Sequence, residues 1–414
     1  MSTKIAAESF PNPTPGEKPV LVVVRVYDGE RDKAAVEELE RQYEVGKPGK
    51  PSVVTDLMGD PTARIRNFTS HIMLVAEYGF ERRIVGVIRG CLKSVTKGKK
   101  PSGRFPAYVK LACILGLRVS TAHRRLGIGT KLVQQLEEWC RKNGADYAYM
   151  ATECSNQPSL NLFTIKFNYI KFRSPTVLVQ PIHAHDKSLS SSIALIRVSP
   201  ELATLVYRRI FASSEFFPED VDMILNNKLS LGTFVALPKG YLSNWDPKSD
   251  TFPPSFAILS IWNTKEVFKL KVKGVSSLKY ACSVASRAVD AFLPWLRLPS
   301  IPNIFRQFGL YFLYGLHMEG PHGSYLMRSL CSFAHNMAKH DRGCGILVAE
   351  VNQNDPVKEA IPHWKRFSWD DLWCIKKLAV AKEEGQESGS FEPQDWIKSR
   401  ACSSSVTFVD PRDI

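Results

Sequence analysis

The sequence predicts an α/β fold of the mixed-sheet (α+β) type that occurs twice in tandem. Apolar, β-branched runs typical of strands alternate with amphipathic stretches of helical period. The run at 108–119 is almost wholly apolar, as expected of a central strand covered on both faces. The order of strands and helices in the first half returns in the second, which indicates an internal repeat. A length of 414 residues suffices for two or three domains.

In the first half the predicted order is β-α-β-β-β-α-β-α-β. The predicted strands lie at 19–27, 72–77, 84–95, 108–119, 147–152 and 169–179. The predicted helices run from 29 to about 43, from a glycine turn at 127–129 to 143, and from 156 to 166. The second of these helices is the best defined, because one apolar stripe runs along it and Gly144 follows its basic last turn.

The second half repeats this plan from about residue 193. Strands are predicted at 256–263 and 267–272 (as a pair), 310–316, 344–351 and 371–378, and helices at 200–209 and 325–339. The inserted segment 275–306 is expected to form either a packing helix or a partner-binding helix. The resulting division is a disordered Pro-rich tail at 1–19, a first domain at 20–185, a second domain at 193–385 and a C-terminal tail at 386–414.

Composition excludes several classes of protein. With 44% hydrophobic and 23% charged residues the chain is globular, and a net charge of +14 favours an anionic partner. No zinc-finger or RNA-recognition signature is present, so direct sequence-specific binding of nucleic acid is not expected. The nine cysteines have no CxxC spacing, which predicts free thiols and no metal site. No run is long enough to span a membrane and no signal peptide is visible, which predicts a soluble intracellular protein.

A cation-rich glycine turn follows the central strand. Gly127 and Gly129 let the backbone approach a ligand closely, and the free N–H groups that begin the next helix make an anion site. The basic residues around this turn are Arg118, His123, Arg124, Arg125 and Lys131. Leu132 stands where a dinucleotide fingerprint requires its third glycine, and no G-K-[ST] of a P-loop exists in the chain. A phosphate-bearing ligand of another kind is expected.

Arg124-x-x-Gly127-x-Gly129 resembles the coenzyme A-binding turn of the GNAT (GCN5-related N-acetyltransferase) superfamily. The strand end before it and the amphipathic helix after it fit that resemblance. A second block, Asn156-x-x-Ser159-x-x-Leu162-Phe163, resembles the helix start that follows the fifth strand of these enzymes. Blocks along nearly the whole chain, among them TDLMGDP, LPSIP and FVDPRDI, are similar to those of the plant HOOKLESS-type probable N-acetyltransferases.

The resemblance implies acetyl-CoA as co-substrate and an amine acceptor, which is a small molecule or a protein, with histones and other nuclear proteins as candidates. It also implies a nuclear protein that acts in hormone-regulated plant growth; the cytoplasm is the alternative location. The second domain has no R-x-x-G-x-G, so it is predicted to be a degenerate GNAT-like domain that does not bind acetyl-CoA. The rival hypothesis is a non-catalytic acetyl-CoA-binding scaffold in transcriptional control.

The same resemblance implies the residues that contact the co-substrate. Backbone N–H groups of Arg125, Leu126, Gly127, Ile128, Gly129 and Thr130 would bind the pyrophosphate. The strand end Leu117, Arg118 and Val119 would pair with the pantetheine arm. Arg124 or Lys131 would either reach the 3′-phosphate or remain a solvated surface cation. Asn156 and Phe163 belong to the second block, and Asn156 also reads as a helix N-cap.

Direct transfer needs a base for the ammonium and often an acid for the leaving thiolate. The central strand carries no carboxylate, so Glu153 is the candidate base, with Asp56 as second choice; capping the following helix is the alternative role of Glu153. Phe163 stands where the family has an acidic tyrosine and has no proton to give. Tyr169 is therefore the remaining candidate for the acid, unless no acid is present.

Overall fold

The computed structural model describes residues 22–42, 52–98, 108–245, 253–274, 306–378, 396–397 and 406–414, with a few isolated positions between 275 and 305. The predicted tail at 1–19 and nearly all of the inserted segment at 275–306 lie outside these residues. No helix within them is long and apolar enough to cross a membrane.

The described residues of the first half form eight strands and three α-helices in the order β1 Val22–Val26, α1 Lys33–Arg41, β2 Ser52–Asp56, β3 Ser70–Tyr78, β4 Arg83–Lys97, β5 Tyr108–Val119, α2 Ile128–Lys142, β6 Tyr147–Glu153, α3 Gln157–Leu160, β7 Ile170–Arg173 and β8 Pro175–Pro181. The second half continues with β9 Ile193–Val198, α4 Pro200–Phe211, β10 Glu215–Pro218, α5 Val221–Leu225, β11 Ser230–Pro238, β12 Phe256–Asn263, β13 Lys269–Lys273, β14 Gly309–Glu319, α6 Gly323–His340, β15 Cys344–Asn352 and β16 Trp369–Lys377.

In the part of the chain that the structure describes, the two halves share one fourteen-stranded sheet, and each gives its last strand to the other. The order along the sheet is β1-β3-β4-β5-β6-β16-β8-β15-β14-β12-β11-β9, with β10 beside β4 and β7 beside β16. Strand β16 pairs antiparallel with β6, and β8 pairs antiparallel with β15. The mixed α/β fold that the sequence predicts is therefore confirmed. Each half has the same strand order, read outward from the centre.

This exchange joins the two predicted domains through main-chain hydrogen bonds. The predicted boundary at 186–192 therefore lies between strands of a single sheet. The predicted pairing of the strand near 267–272 with 256–263 is wrong, because β13 pairs instead with β2 in a separate two-stranded ribbon. The predicted strand 169–179 is interrupted, and its two parts pair with different neighbours.

The sheet has two differently covered faces. On the outer face α2 and α6 each pack on their own half, through Leu132 and Leu136 in α2 and through Leu326 and Leu330 in α6. On the inner face one apolar cluster runs through both halves and includes α4 and the C-terminal Phe408. Helix α1 also covers the inner face, against β3 and β4. Alternation along each strand decides which side chains reach which face.

The segment predicted as a C-terminal tail, 386–414, ends in a buried part of the inner face. Phe408 is 2% exposed and lies among aromatic rings of the inner cluster. Lys93 on β4 is 3.3 Å from the carboxylate of Asp410, which also pairs with Arg412 at 2.8 Å. Tyr149 donates a hydrogen bond to Asp413. The charged residues of FVDPRDI therefore pair with buried partners, although the sequence predicts that they belong to a C-terminal tail.

Replacement of Asp410 by alanine is expected to destabilise the fold by about 3–5 kcal/mol, because it leaves Lys93 and Arg412 buried without this carboxylate. Urea unfolding followed by tryptophan fluorescence measures the change. Asp222→Ala is the matched control, because Asp222 is half-exposed in a 3.7 Å ion pair with Arg208, and we expect it to cost less than about 1 kcal/mol. Equal effects of the two changes would mean that the C-terminal residues are not anchored in this way.

Candidate active site

The N-terminus of α2 is open to a ligand. Gly127 precedes the helix with a φ of 76°, and no side chain caps the first turn. The first main-chain bond of the helix runs from Lys131 N to Gly127 O at 3.0 Å, so the N–H groups of residues 128–130 have no acceptor within the helix. A Cβ at Gly127 would meet no atom within 4 Å. These groups and the helix dipole form a cradle that fits a phosphate.

The central strand opens beside this cradle. Gly116 has a φ of 56° at a bulge where β5 carries one residue more than β4. The parallel pairing of β5 with β6 ends at Ile114 and Met150. Residues 115–119 therefore keep their pairing with β4 on one side, while their other edge is not paired with β6. An extended ligand can form main-chain hydrogen bonds along that edge, as predicted for Leu117–Val119.

The second half has the same bulge and opening but a filled turn. Gly315 has a φ of 59° at the corresponding shift between β12 and β14, and the pairing of β14 with β15 ends at Leu313. Only residues 320–322 connect β14 to α6, whereas 120–127 connect β5 to α2. A Cβ at Gly320 would collide with the carbonyl oxygen of Pro254 and with Ser255 Oγ. The chain itself occupies the space that the first half leaves open.

Some of the cations predicted around the turn have other partners. The Arg118 side chain lies on the inner face, 3.7 Å from Glu40, so only its backbone is at the strand opening. His123 packs edge-on against Tyr78. Arg124, Arg125 and Leu126 are exposed at the turn, and Lys131 Nζ lies 3.5 Å from Val22 O. A contact of Arg124 or Lys131 with a 3′-phosphate remains a prediction.

The second block is built differently from the family pattern. Asn156 caps α3 by accepting a bond from Ser159 N at 3.4 Å, and it donates to Thr152 at 2.9 Å. Residues Asn161–Lys166 form a π-helical turn. Leu162 points at the glycine turn, 3.7 Å from where a Cβ of Gly129 would lie. Phe163, the predicted contact, is 1% exposed in the outer core beneath it.

Tyr169 does not reach the site. It packs edge-on against Phe163 in the outer core, and the ammonium of Lys376 lies 5.6 Å from its ring. Burial raises the pKa of its hydroxyl well above the ordinary value, and the neighbouring carboxylate of Glu137 adds to this shift. Glu137 belongs to the C-terminal half of α2, away from the glycine turn. The prediction that Tyr169 supplies the acid is therefore not supported.

Carboxylates of both halves meet on the inner face below the strand opening. Glu153 ends β6, and its register partner across the sheet is Asp371 of β16. Glu350 of β15 faces the same side and accepts a bond from Trp373 Nε1 at 2.9 Å. Trp369 Nε1 donates to Asp371 at 2.9 Å. The sequence indicates Glu153 but not Asp371, because the pairing depends on the strand exchange.

Two of these carboxylates, Asp371 and Glu350, have raised pKa values. Burial raises the pKa of Asp371 to about 6, and the carboxylates of Glu153 and Asp370 add to the shift. Burial raises the pKa of Glu350 to about 8, with a further contribution from Asp371. A group that titrates near pH 6 suits a general base at neutral pH. Glu153 accepts a bond from Ser155 at 2.5 Å and does not cap α3, while Asp56 lies in the separate ribbon and binds Gln307.

Comparisons with known proteins agree with this geometry. The model of the acetyltransferase (GNAT) family matches residues 34–169. The chain is 49% identical to "Probable N-acetyltransferase HLS1" of Arabidopsis thaliana over 95% of this chain and 100% of that protein. It is 41% identical to "Acetyl transferase GW6a" of Oryza sativa subsp. japonica, over 95% and 98%.

Among solved structures, the fold is similar to that of Saccharomyces cerevisiae N-myristoyltransferase with bound myristoyl-CoA. The TM-score is 0.53 at 9% identity, and the match covers 88% of this chain and 81% of that one. At this identity the likeness concerns the fold alone. The extent and identity of the two plant matches are far greater. The chain therefore belongs to the family of these probable N-acetyltransferases, within the GNAT acetyltransferases.

Proposed function

We propose that this protein transfers the acetyl group of acetyl-CoA to an amine and that only its first half binds acetyl-CoA. The observation that carries the proposal is the uncapped N-terminus of α2 behind Gly127, beside the end of β5 that lies beyond its pairing with β6. The N–H groups of residues 125–130 would bind the pyrophosphate. The main chain of 117–119 would pair with the pantetheine arm, and one of its N–H groups would polarise the thioester carbonyl.

Acetyl-CoA supplies an acetyl group already activated as a thioester, so the protein needs no nucleophile of its own. The acceptor must first lose a proton, and we assign this step to the carboxylate of Asp371 with Glu153 beside it. The amine nitrogen then forms a bond to the acetyl carbon as the carbon–sulfur bond breaks and the thiolate leaves. The acylated nitrogen then loses its second proton to become the amide. One of the two protons protonates the thiolate, and the other passes to solvent, which returns the carboxyl group to its carboxylate form.

The identity of the acceptor amine is a separate part of the proposal. The resemblance to HOOKLESS-type proteins supports a nuclear acceptor, a histone among the candidates, and a role in hormone-regulated growth. The protein would then act in the nucleus, with the cytoplasm as the alternative location. Comparing lysine acetylation across the proteome with and without this chain tests the protein acceptors directly.

A second candidate function is a scaffold that binds acetyl-CoA without using it. The observation in its favour is that Tyr169, the predicted acid, lies in the outer core, while Phe163 carries no proton. In that case the carboxylates of the inner face would serve only to position a partner.

Thiol release separates the two functions. Full-length protein with acetyl-CoA and a panel of amines is expected to release coenzyme A at a rate that depends on the amine, while calorimetry gives one binding site per chain. Binding of acetyl-CoA with no amine-dependent thiol release on any acceptor, including histone peptides, would favour the scaffold. Absence of binding would contradict both functions.

A further inference from the structure

A cavity opens in the second half of the protein, beside the strand β9 that ends the sheet. The start of β11 and the loop after α5 form its other walls. Its volume is about 220 Å³. A cavity of about 150 Å³ holds a molecule the size of benzene, so this one has room for a compact molecule of roughly six to ten non-hydrogen atoms. The acetyl transfer proposed above does not use it.

The lining of this cavity is polar and carries one positive charge. The polar residues that border it are Arg197, Asn226, Asn227, Ser230 and Thr233. None of the described residues that line it is acidic. A cavity of this kind suits a polar ligand with a negative charge, because amide and hydroxyl groups can bond to the uncharged part of such a ligand.

Arg197 supplies the charge, and its guanidinium group lies against the end of β11. A Cβ at Gly232 would be only 2.7 Å from Arg197 Nε. Gly232 has a φ of 126° and follows a bulge in the pairing of β11 with β12. A side chain at this position would therefore displace the guanidinium group. Arg197 makes no hydrogen bond or ion pair with any residue that the structure describes.

The carboxylates of the neighbouring elements have other partners. Asp220 pairs with Arg412 at 2.7 Å, Asp222 with Arg208 at 3.7 Å, Glu266 with Lys228 at 3.7 Å, and Glu201 with the first turn of its own helix α4. Neither β9 nor the loop 226–229 contains an acidic residue. The charge of Arg197 is therefore not neutralised by the described elements around the cavity.

The first half has an arginine at the equivalent position, but there the chain provides the anions. Strands β1 and β9 lie at the two ends of the sheet, and both end in Arg-Val, at Arg25 and Arg197. Arg25 is 2.5 Å from Asp32, the N-cap residue of α1, and 2.6 Å from Glu77. The N-cap residue of α4 is the uncharged Ser199. In the second half a ligand would take the place of these carboxylates.

A chain of hydroxyl groups at the cavity offers a further donor. Thr233 Oγ1 lies 2.6 Å from Ser260 Oγ, which lies 2.7 Å from the hydroxyl of the buried Tyr207. Each hydroxyl group donates one bond and accepts others. When Tyr207 donates to Ser260 and Ser260 donates to Thr233, the proton of Thr233 is left for a ligand oxygen.

We propose that this cavity binds a small molecule that carries hydroxyl groups and one oxyanion, which is a phosphate or a carboxylate. Arg197 would donate two parallel bonds to the oxyanion, as the planar guanidinium group does with both kinds of group. The amides and hydroxyls of the lining would bond to the rest of the molecule. The site is separate from the glycine turn of α2 and does not depend on the proposed acetyl transfer.

Three matched ligands test the proposal by calorimetry with the full-length protein at constant ionic strength. Glycerol 3-phosphate and glycerate carry a phosphate and a carboxylate on similar hydroxyl-bearing skeletons, and glycerol is their uncharged counterpart. We expect at least one of the two anions to bind with a Kd of about 1 mM or lower and glycerol to bind far more weakly. The anion with the lower Kd identifies the group that the cavity accepts.

Arg197→Gln should weaken this binding at least about 10-fold, the size of one charged hydrogen bond. Arg208→Gln is the matched control, because it removes the same charge from the far end of α4, away from the cavity, and should bind the anion as the wild type does. Arg197 is exposed and unpaired within the described residues, so Arg197→Gln should keep the thermal midpoint of the ligand-free protein. That measurement shows that the variant is folded.

The N-terminus of α2 is a second place where an oxyanion is expected, and Gly129→Glu separates the two. We expect this variant to bind the anion as the wild type does, because the cavity lies in the other half. Loss of binding in Gly129→Glu with full binding in Arg197→Gln would assign the anion to α2 and overturn the proposal. No saturable binding of either anion, or equal binding of glycerol, would also overturn it.

Discussion

Replacing Gly129 with glutamate is expected to weaken acetyl-CoA binding at least ~100-fold, because like charges placed in contact cost several kcal/mol. Gly129 is the second residue of α2 and has ordinary helical geometry. A Cβ there would only contact Val119 and Leu162 at ordinary distances. The new carboxylate would stand among the N–H groups that bind the pyrophosphate. An acidic residue in a first helical turn is otherwise favourable, so the fold should be retained.

Calorimetric titration with acetyl-CoA measures this effect. Ser324→Glu is the matched control, because Ser324 is the exposed second residue of α6 and receives the same charge at the corresponding helix of the second half. We expect its acetyl-CoA affinity to equal that of the wild type. Unchanged affinity in Gly129→Glu, or a loss of affinity in Ser324→Glu, would place the site elsewhere.

Asp371→Asn is expected to lower kcat by about 10²–10⁴-fold, the usual contribution of a positioned base, without changing the affinity for acetyl-CoA. In the wild type kcat/KM should rise with pH through about 6, because the raised pKa of Asp371 means that it is protonated and inactive as a base below that value. The variant should lack this rise. Asparagine retains the acceptor oxygen for Trp369, so packing is preserved.

Asp370→Asn serves as the control for this prediction. Asp370 is the adjacent residue but accepts a bond from Thr176 at 2.6 Å, and alternation along β16 places it on the opposite face. We expect it to keep its turnover and the rise of kcat/KM with pH, with the midpoint of that rise moved to slightly lower pH because the Asp370 carboxylate adds to the raised pKa of Asp371. If Glu153→Gln abolishes the rise near pH 6 while Asp371→Asn leaves it intact, the base is Glu153 and the assignment to Asp371 is wrong.

The local features of the site are visible in the sequence because they depend on neighbouring residues. Gly127 must adopt a positive φ, the apolar stripe of α2 has helical period, and Asn156 precedes a helix that it caps. The repeated order of elements also predicts the second half. The positive φ, the apolar stripe and the N-cap are each set by a single turn or helix and its neighbours in the chain.

The features that the sequence does not show depend on pairing over long distances. Strands β8 and β16 have apolar runs that fit either half, so nothing local reveals that they are exchanged. In the sequence Asp371 is therefore only the polar start of a distant strand. Its position beside Glu153 follows from the pairing of β16 with β6. The sequence makes Tyr169 the candidate for the general acid near the strand opening, but the turn before it directs its ring into the outer core. The sequence does not show that the charge of Asp410 is paired, because its partner Lys93 is more than three hundred residues away.

The most direct measurement of the central claim is hydrogen–deuterium exchange of the full-length protein with and without acetyl-CoA. We expect slower exchange at the amides of 117–119 and 125–130, where the strand opening and the glycine turn would bind the ligand. The corresponding amides at 316–318 and 320–325 should exchange at the same rate in both samples, because that turn is filled by residues 254–255. Protection of the second turn, or no protection at 125–130 under saturating acetyl-CoA, would contradict a single coenzyme A site at the start of α2.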